Sequence, residues 1–452
     1  MNLTFIGATE TVTGSMILGR TNGFSFLVDA GLYQGLDTPK VDQSEKELDE
    51  LIKIKELDAI FLTHAHLDHC GYIPRLFRLG FKGKVYCTEE TKLIAKVIMN
   101  DNARIEQERV KKHNKKITKE KLKLEPFYSI EDVTRAYAAF STVKFNQSFV
   151  IGGVKASFIR SGHILGAASI LMEIEAKRYL FSGDIGKEED ILHLPKEYTQ
   201  EKVDYLVMES TYGDRLHSME SVQDQLKSIL ESALKAKKRI IIPAFSFGRS
   251  QMILSLLTDI FNESKELKMP VFLDSPMSSE ILTIYEMSTQ ELKVDKNHIN
   301  AMKENCRILE FPKERESILQ KETPYIVLTS SGMISGGPAL YYLEKCGGLE
   351  DTIILITGYQ ARGTYGYDLT HENLNLFLNE KDFEVRAEII KLSGLSSHGD
   401  QNELIHFAKA YGAEKVFLVH GEKSSKETLK ERLSELSFDA VIPSASESVE
   451  LD

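Results

Sequence analysis

Apolar residues in the first half of the chain come in short runs broken by glycine and polar positions. On this pattern residues 3–6, 16–18 and 24–28 read as strands, and 59–62 as another that stops just before His64. From about 91 to 112 the spacing changes. Leu93, Ile94, Val97 and Ile98 recur at helical intervals among polar partners and predict one long helix. Strand-like runs return at 155–159, 169–173 and 178–181. After about Met208 the rhythm becomes strand–helix alternation. Residues 240–243 precede a helix near Gly248, 271–273 one near Pro276, and 325–328 one after Pro338, with 353–356 following. Such alternation predicts a parallel α/β sheet with its own helices. The last part gives 385–392, a helix at 402–411, a strand at 415–419 and a helix at 426–436. There is no internal repeat and no low-complexity linker, so the pattern predicts two compact layers with an interruption between them.

A length of 452 residues fits two or three domains. The 42% hydrophobic and 27% charged residues are ordinary for a soluble globular protein, and no apolar run is long enough for a membrane span. The start, MNLTFIGATE, lacks the basic and apolar regions of an export signal. Cys70, Cys87, Cys306 and Cys346 are far apart, a pattern of reduced thiols that predicts a cytoplasmic protein. The net charge of −11 runs against the basic footprint usual in nucleic-acid binding. Carboxylates that hold metal, however, count in that total while being neutralised by their ions. The charge is also uneven. Arg104, Arg109, Lys111, Lys112, Lys115, Lys116, Lys119, Lys121 and Lys123 form a basic run, which reads first as a solvated helix and loop. Net charge therefore excludes nothing.

Candidate chemistry begins at His64-Ala65-His66-Leu67-Asp68-His69, directly after an apolar strand. Three histidines and a carboxylate in six positions offer nitrogen and oxygen ligands dense enough for two neighbouring metal ions, in a chain with 12 histidines. One loop cannot complete two coordination spheres. His163, in a glycine-bracketed turn, and Asp184 follow two later strands, and a strand-end carboxylate is placed to bridge two cations. Asp29 ends the strand at 24–28 and could accept a hydrogen bond from a ligand histidine. Each alone also reads as a turn or cap residue.

Together, His64, His66, Asp68, His69, Asp29, His163 and Asp184 resemble the signature of the metallo-β-lactamase superfamily. The resemblance implies an αββα sandwich with two Zn2+ ions at one edge. His64, His66 and His163 would hold one, Asp68 and His69 the other, and Asp184 would bridge them. Glu209 in MESTYG, His398 in SSHGD and His420 in VHG are similar to the three further motifs of the β-CASP nucleases, as are the segments at 242–249 and 330–333. This branch implies a parallel α/β β-CASP domain inserted into the lactamase core. The expected division is 1–208 and 376–452 for the metallo-β-lactamase domain and 209–375 for the insert.

The same resemblance implies a hydrolase that cuts RNA phosphodiester bonds by a metal-bridging hydroxide, with His420 favouring RNA over DNA. His420 would complete the second ion's ligands, and His398, oriented by Glu209, would protonate the leaving oxygen. Ser246, Arg249, Ser330, Ser331, Gly332 and Arg362 supply the small residues, helix start and guanidinium groups suited to RNA phosphates. The partner expected is single-stranded RNA, with no membrane, and relatives suggest a homodimer. Internal cleavage and cleavage from the 5′ end both stay open. Two other readings are a superfamily hydrolase of thioesters, lactams or lactones, and a scaffold without turnover. The trio Glu209, His398 and His420 speaks against the first, and the filled ligand positions against the second.

Overall fold

A computed structural model describes all residues except 34–44, 116, 118–122, 219, 322–323 and 452. Lys116, Lys119 and Lys121 of the basic run lie outside the described residues. The chain divides into two compact units, Met1–Leu216 with Ser397–Asp452, and His217–Ser396. No described helix is long and apolar enough to cross a membrane.

The first unit is built from two seven-stranded sheets. One runs in the order Glu447–Glu450, Asn2–Gly7, Met16–Thr21, Phe24–Val28, Ala59–Phe61, Lys84–Cys87 and Phe140–Thr142. The other runs Asp439–Val441, Lys415–Val419, Tyr205–Glu209, Lys177–Phe181, Ala168–Ile174, Val154–Arg160 and Phe149–Ile151. Their facing sides share one core in which Phe26, Phe61, Phe158, Phe181 and Phe417 are fully or almost fully buried. Burial of each such ring stabilises the fold by roughly 1.5–3 kcal/mol. On the other face of the second sheet, Leu404, Phe407, Leu429 and Leu433 from the helices Gln401–Tyr411 and Lys423–Glu435 pack on Leu180, Leu206 and Leu418. Residues i, i+3 and i+4 of each helix supply these contacts, which is why its outward positions are charged. The predicted long helix is Glu89–Asn114, capped by the Thr88 side chain accepting from Thr91 N. Arg109, in the basic run on this helix, forms a two-pronged pair with Glu106.

Strand direction matters more for function than strand count. Phe24–Val28 and Ala59–Phe61 are parallel neighbours, and so are Lys177–Phe181, Tyr205–Glu209 and Lys415–Val419. Within each set the carboxyl ends therefore open on a common edge, and the residues that follow are brought close together.

The second unit holds a six-stranded all-parallel sheet, ordered Cys306–Ile308, Val271–Asp274, Ile326–Thr329, Arg239–Pro243, Thr352–Ile356 and Glu388–Lys391. Its four inner strands are mostly apolar and almost wholly buried, as expected for strands covered on both faces, whereas the edge strands Cys306–Ile308 and Glu388–Lys391 carry exposed charged residues. Glu388–Lys391 pairs with Thr352–Ile356, so the sequence boundary at 375/376 lies inside this unit and the chain leaves it at Ser397.

Candidate metal centre

Six strand ends, with the loop that carries His398, supply the polar groups of the first unit. Asp29 follows Phe24–Val28 in the left-handed region at φ 60°, and its N–H donates to Phe61 O at 2.9 Å. Its carboxylate accepts from Thr63 N at 2.8 Å, from Thr63 Oγ1, and from His69 Nδ1 at 2.7 Å. Thr63 therefore fixes the carboxylate, and the carboxylate fixes the His69 ring with Nε2 turned away from it. Gly162 and Gly183, both at positive φ (73° and 56°), make the turns that present His163 and Asp184. An L side chain rarely adopts that conformation. His420 itself has φ 49°, an uncommon backbone state for a residue with a Cβ.

The side chains converge. His64 Nε2 lies 3.1 Å from His66 Nδ1, and His163 Nε2 lies 3.3 Å from the same atom. Asp184 Oδ2 is 3.4 Å from both His64 Nε2 and His163 Nε2. The other oxygen of Asp184 is 3.4 Å from His69 Nε2 and 3.5 Å from His420 Nδ1. His69 Nε2 and His420 Nε2 are 3.2 Å apart, and His420 Nε2 is 3.6 Å from Asp68 Oδ2. A third group is formed by His398, whose Nδ1 is 3.0 Å from both oxygens of Glu209 and whose Nε2 is 3.9 Å from Asp184 Oδ2. Glu209 is buried and also accepts from Ile185 N at 2.6 Å.

This packing has a chemical meaning. Ring nitrogens that face each other at 3.1–3.3 Å can pair only where the N–H of one meets the bare nitrogen of the other, and His66 Nδ1 meets two such neighbours. A tetrahedral ion with bonds of 2.0–2.1 Å holds its ligand atoms about 3.3 Å apart, which matches these spacings. The buried Oδ1 of Asp184 has no hydrogen-bond partner among the described residues, a costly state for a carboxylate oxygen unless a cation meets it. The donor set of imidazoles and carboxylates, grouped as His64–His66–His163–Asp184 and Asp68–His69–His420, fits metal ions.

Electrostatics agree. Burial and the neighbouring imidazoles push His64 and His163 down, and burial with His64 brings His66 to about 3, so these rings are neutral and able to bind a cation. Burial acts the same way on His69 and His398, but carboxylates overcome it. Asp184 and Asp29 raise His69 to about 10, so a cation bound at its Nε2 would have to displace that proton, and Glu209 and Asp184 raise His398 to about 9. Asp68 and Asp184 are held low by the surrounding histidines despite their burial. The centre is thus a negative pocket that draws positive charge.

Family models match the chain along most of its length. The metallo-beta-lactamase superfamily matches residues 10–243, the Beta-Casp domain 250–369, and a Zn-dependent metallo-hydrolase RNA specificity domain 382–443. The chain belongs to the β-CASP branch of the metallo-β-lactamase superfamily. Among its β-CASP relatives, a ribonuclease of Thermus thermophilus is 30% identical over 435 residues, covering 94% of each chain. An RNase J-like protein of Methanocaldococcus jannaschii is 28% identical over 93% of this chain and 92% of its own. The endoribonuclease ysh1 of Schizosaccharomyces pombe is 25% identical over 95% of this chain and 55% of its own. A solved structure from Enterococcus faecalis V583, of unknown function, shares the fold at a TM-score of 0.56 and 14% identity, covering 100% of this chain and 99% of the other. Membership in this family implies a metal-dependent hydrolase, and several of the relatives are ribonucleases or endoribonucleases by name.

The remaining candidates of this β-CASP chain sit in the second unit. Ser246 is buried, with Oγ 3.0 Å from Ser275 Oγ, and Arg249 opens the helix Arg249–Glu263. Ser330, Ser331 and Gly332 follow the strand Ile326–Thr329, and Ser331 Oγ meets Ser335 Oγ at 3.0 Å. Gln360 ties this turn to the next by donating from Nε2 to Gly332 O at 3.0 Å. Arg362 is exposed beyond it. All lie past the carboxyl ends of parallel strands. Sequence reasoning missed Thr63, Thr211 (Oγ1 3.2 Å from His420 Nδ1) and Gln360, although each stands next to or close behind a motif residue.

Proposed function

We infer that this protein hydrolyses phosphodiester bonds of single-stranded RNA with two zinc ions. His64, His66 and His163 would hold one and Asp68, His69 and His420 the other, with Asp184 between them. The observation that carries this reading is the position of the Asp184 carboxylate, one oxygen facing each histidine group. Nitrogen-rich ligands at tetrahedral spacing favour zinc, and the names of the β-CASP relatives favour RNA. The chemistry such ions supply when bound is Lewis acidity toward a phosphodiester and its attacking water.

The chain's own residues do the rest. Asp29 accepts from His69 Nδ1 and so keeps Nε2 of that ring available as a ligand. Glu209 accepts from His398 Nδ1, and its charge keeps the imidazole protonated at neutral pH. Nε2–H of His398 is then a proton donor for the leaving oxygen, the role of a general acid. On the inserted unit, Ser246, Arg249, Ser330, Ser331, Gly332 and Arg362 would receive RNA phosphates through hydroxyl, backbone and guanidinium donors.

The test is cleavage of single-stranded RNA labelled at either end, beside matched DNA and a chelator control, with Asp184→Ala and His398→Ala run in parallel. Chelator-sensitive RNA products lost in both variants are expected, and the label pattern separates internal from terminal cutting. Intact RNA after incubation with protein carrying about two metal ions per chain would refute the reading. Hydrolysis of small esters would then be examined.

A further inference from the structure

The geometry points to Phe245 as a stacking platform for one RNA base, beside the Arg249 guanidinium. Residues 240–244 and 246–248 are all buried, whereas Phe245 is 36% exposed. A half-open ring in an otherwise buried segment offers apolar area that a partner can cover. Phe247, two residues on, is 3% exposed, so the exposure belongs to this one position rather than to the turn as a whole.

The surroundings define the occupant. Phe245 lies between the strand Arg239–Pro243 and the helix Arg249–Glu263. Its carbonyl accepts from Ser250 N at 3.1 Å and Ser250 Oγ at 2.9 Å, so its backbone is fixed. From Arg239–Pro243 the chain crosses to Val271–Asp274 on one side, and from the adjacent Ile326–Thr329 it crosses to Thr352–Ile356 on the other. The carboxyl ends of these two strands are therefore a topological switch point, the place where open parallel sheets bind ligands. Two bare glycines flank the ring there. A Cβ on Gly332 would lie 2.8 Å from Phe245 N and 3.2 Å from its Cδ2. A Cβ on Gly358 would lie 2.9 Å from Arg249 Nη1 and 3.7 Å from Phe245 Cε2. Ring and guanidinium thus share one small-residue wall. A flat apolar face next to a phosphate-binding cation suits a nucleotide of a single strand, whose base stacks while its phosphate pairs. Stacking is tolerant of sequence, so the platform positions a strand without selecting it.

This inference rests on the ribonuclease reading, and its test separates the two. Binding of a hydrolysis-resistant phosphorothioate single-stranded oligoribonucleotide is followed by fluorescence anisotropy for the wild type, F245A, F245L, F245W and, as an exposed aromatic elsewhere in the unit, F377A. F245A and F245L are expected to bind about tenfold more weakly, with F245W within about twofold of wild type and F377A unchanged. A single abasic position moved along the strand should weaken wild-type binding about tenfold at one place and leave F245A no weaker than before. F245L binding like the wild type, or an abasic scan with no sensitive position, in protein that cleaves RNA, overturns the stack alone. Wild-type protein that neither cleaves nor binds RNA overturns the ribonuclease reading and the stack with it.

Discussion

Replacing Glu209 by Gln keeps the shape of the His398 contact and removes its charge. Both oxygens of Glu209 lie 3.0 Å from His398 Nδ1, and the amide oxygen of Gln can still accept from Nδ1 or from Ile185 N. Burial lowers the basicity of His398; Glu209 is the foremost opposing cause and Asp184 the next, together bringing it to about 9. With that value, about nine-tenths of the imidazole is protonated at pH 8 and nearly all at pH 6. If Glu209 supplied the whole rise above the ordinary value of about 6.5, the protonated fraction at pH 8 would fall to about 3%, a loss of about 30-fold. Burial goes on opposing the charge once Glu209 is neutral, so the expected loss is on the order of tenfold or more at pH 8 and clearly smaller at pH 6. The sign follows from the acid's role: activity is present below the pKa of His398 and falls as pH rises through it. The assay is kcat/KM on a short RNA from pH 6 to 9.5 at saturating metal. An alkaline limb that stays near 9 in E209Q, or a loss equal at all pH values, would refute the assignment of Glu209 as the group that charges His398.

Three other outcomes follow from the centre and its surroundings. Asp184→Asn should lower the metal content of purified protein at both groups, since each oxygen faces a different one; elemental analysis showing one ion lost and the other fully retained would contradict a shared carboxylate. Asp29→Ala frees His69 Nδ1 and should weaken metal binding about 10- to 100-fold in competition with a chromophoric chelator, with little change in secondary structure by circular dichroism. The buried Asp190 is drawn down to about 2 against its burial, by His193 and by the N–H groups of Leu192 and His193. A lowered carboxyl stabilises the fold above its unfolded pKa of about 4, and that contribution is lost as pH falls toward 2. Asp190→Asn should therefore cost on the order of 2 kcal/mol in urea unfolding at pH 7, with the gap to wild type closing in acid.

Much of the centre was legible in the sequence because its chemistry sits at strand ends. Asp29, His64, His163, Asp184, Glu209 and His420 each end or follow an apolar run, and parallel strands carry such ends to a common edge. The hydrogen bonds that aim these groups were not legible, since Thr63 and Thr211 look like ordinary turn residues until their partners are known. Strand order in the inserted sheet was hidden too. Periodicity finds strands but not neighbours, and Glu388–Lys391 joins the insert because of a pairing with residues far back in the chain. Phe245 and Phe247 look alike in the sequence, and only the turn between strand and helix decides which is buried.

The two histidines His69 and His420 touch across 351 residues of chain, and the strand Glu447–Glu450 pairs with Asn2–Gly7 at the opposite end. During synthesis the His64–His69 loop emerges early and waits for its closing partner. Joining ends that far apart would carry a large loop-closure entropy if the intervening chain were loose. Residues 217–396 form a compact unit of their own, and once it has folded it shortens the effective loop. The ligand set can therefore be complete only late in synthesis, after His420 has left the ribosome.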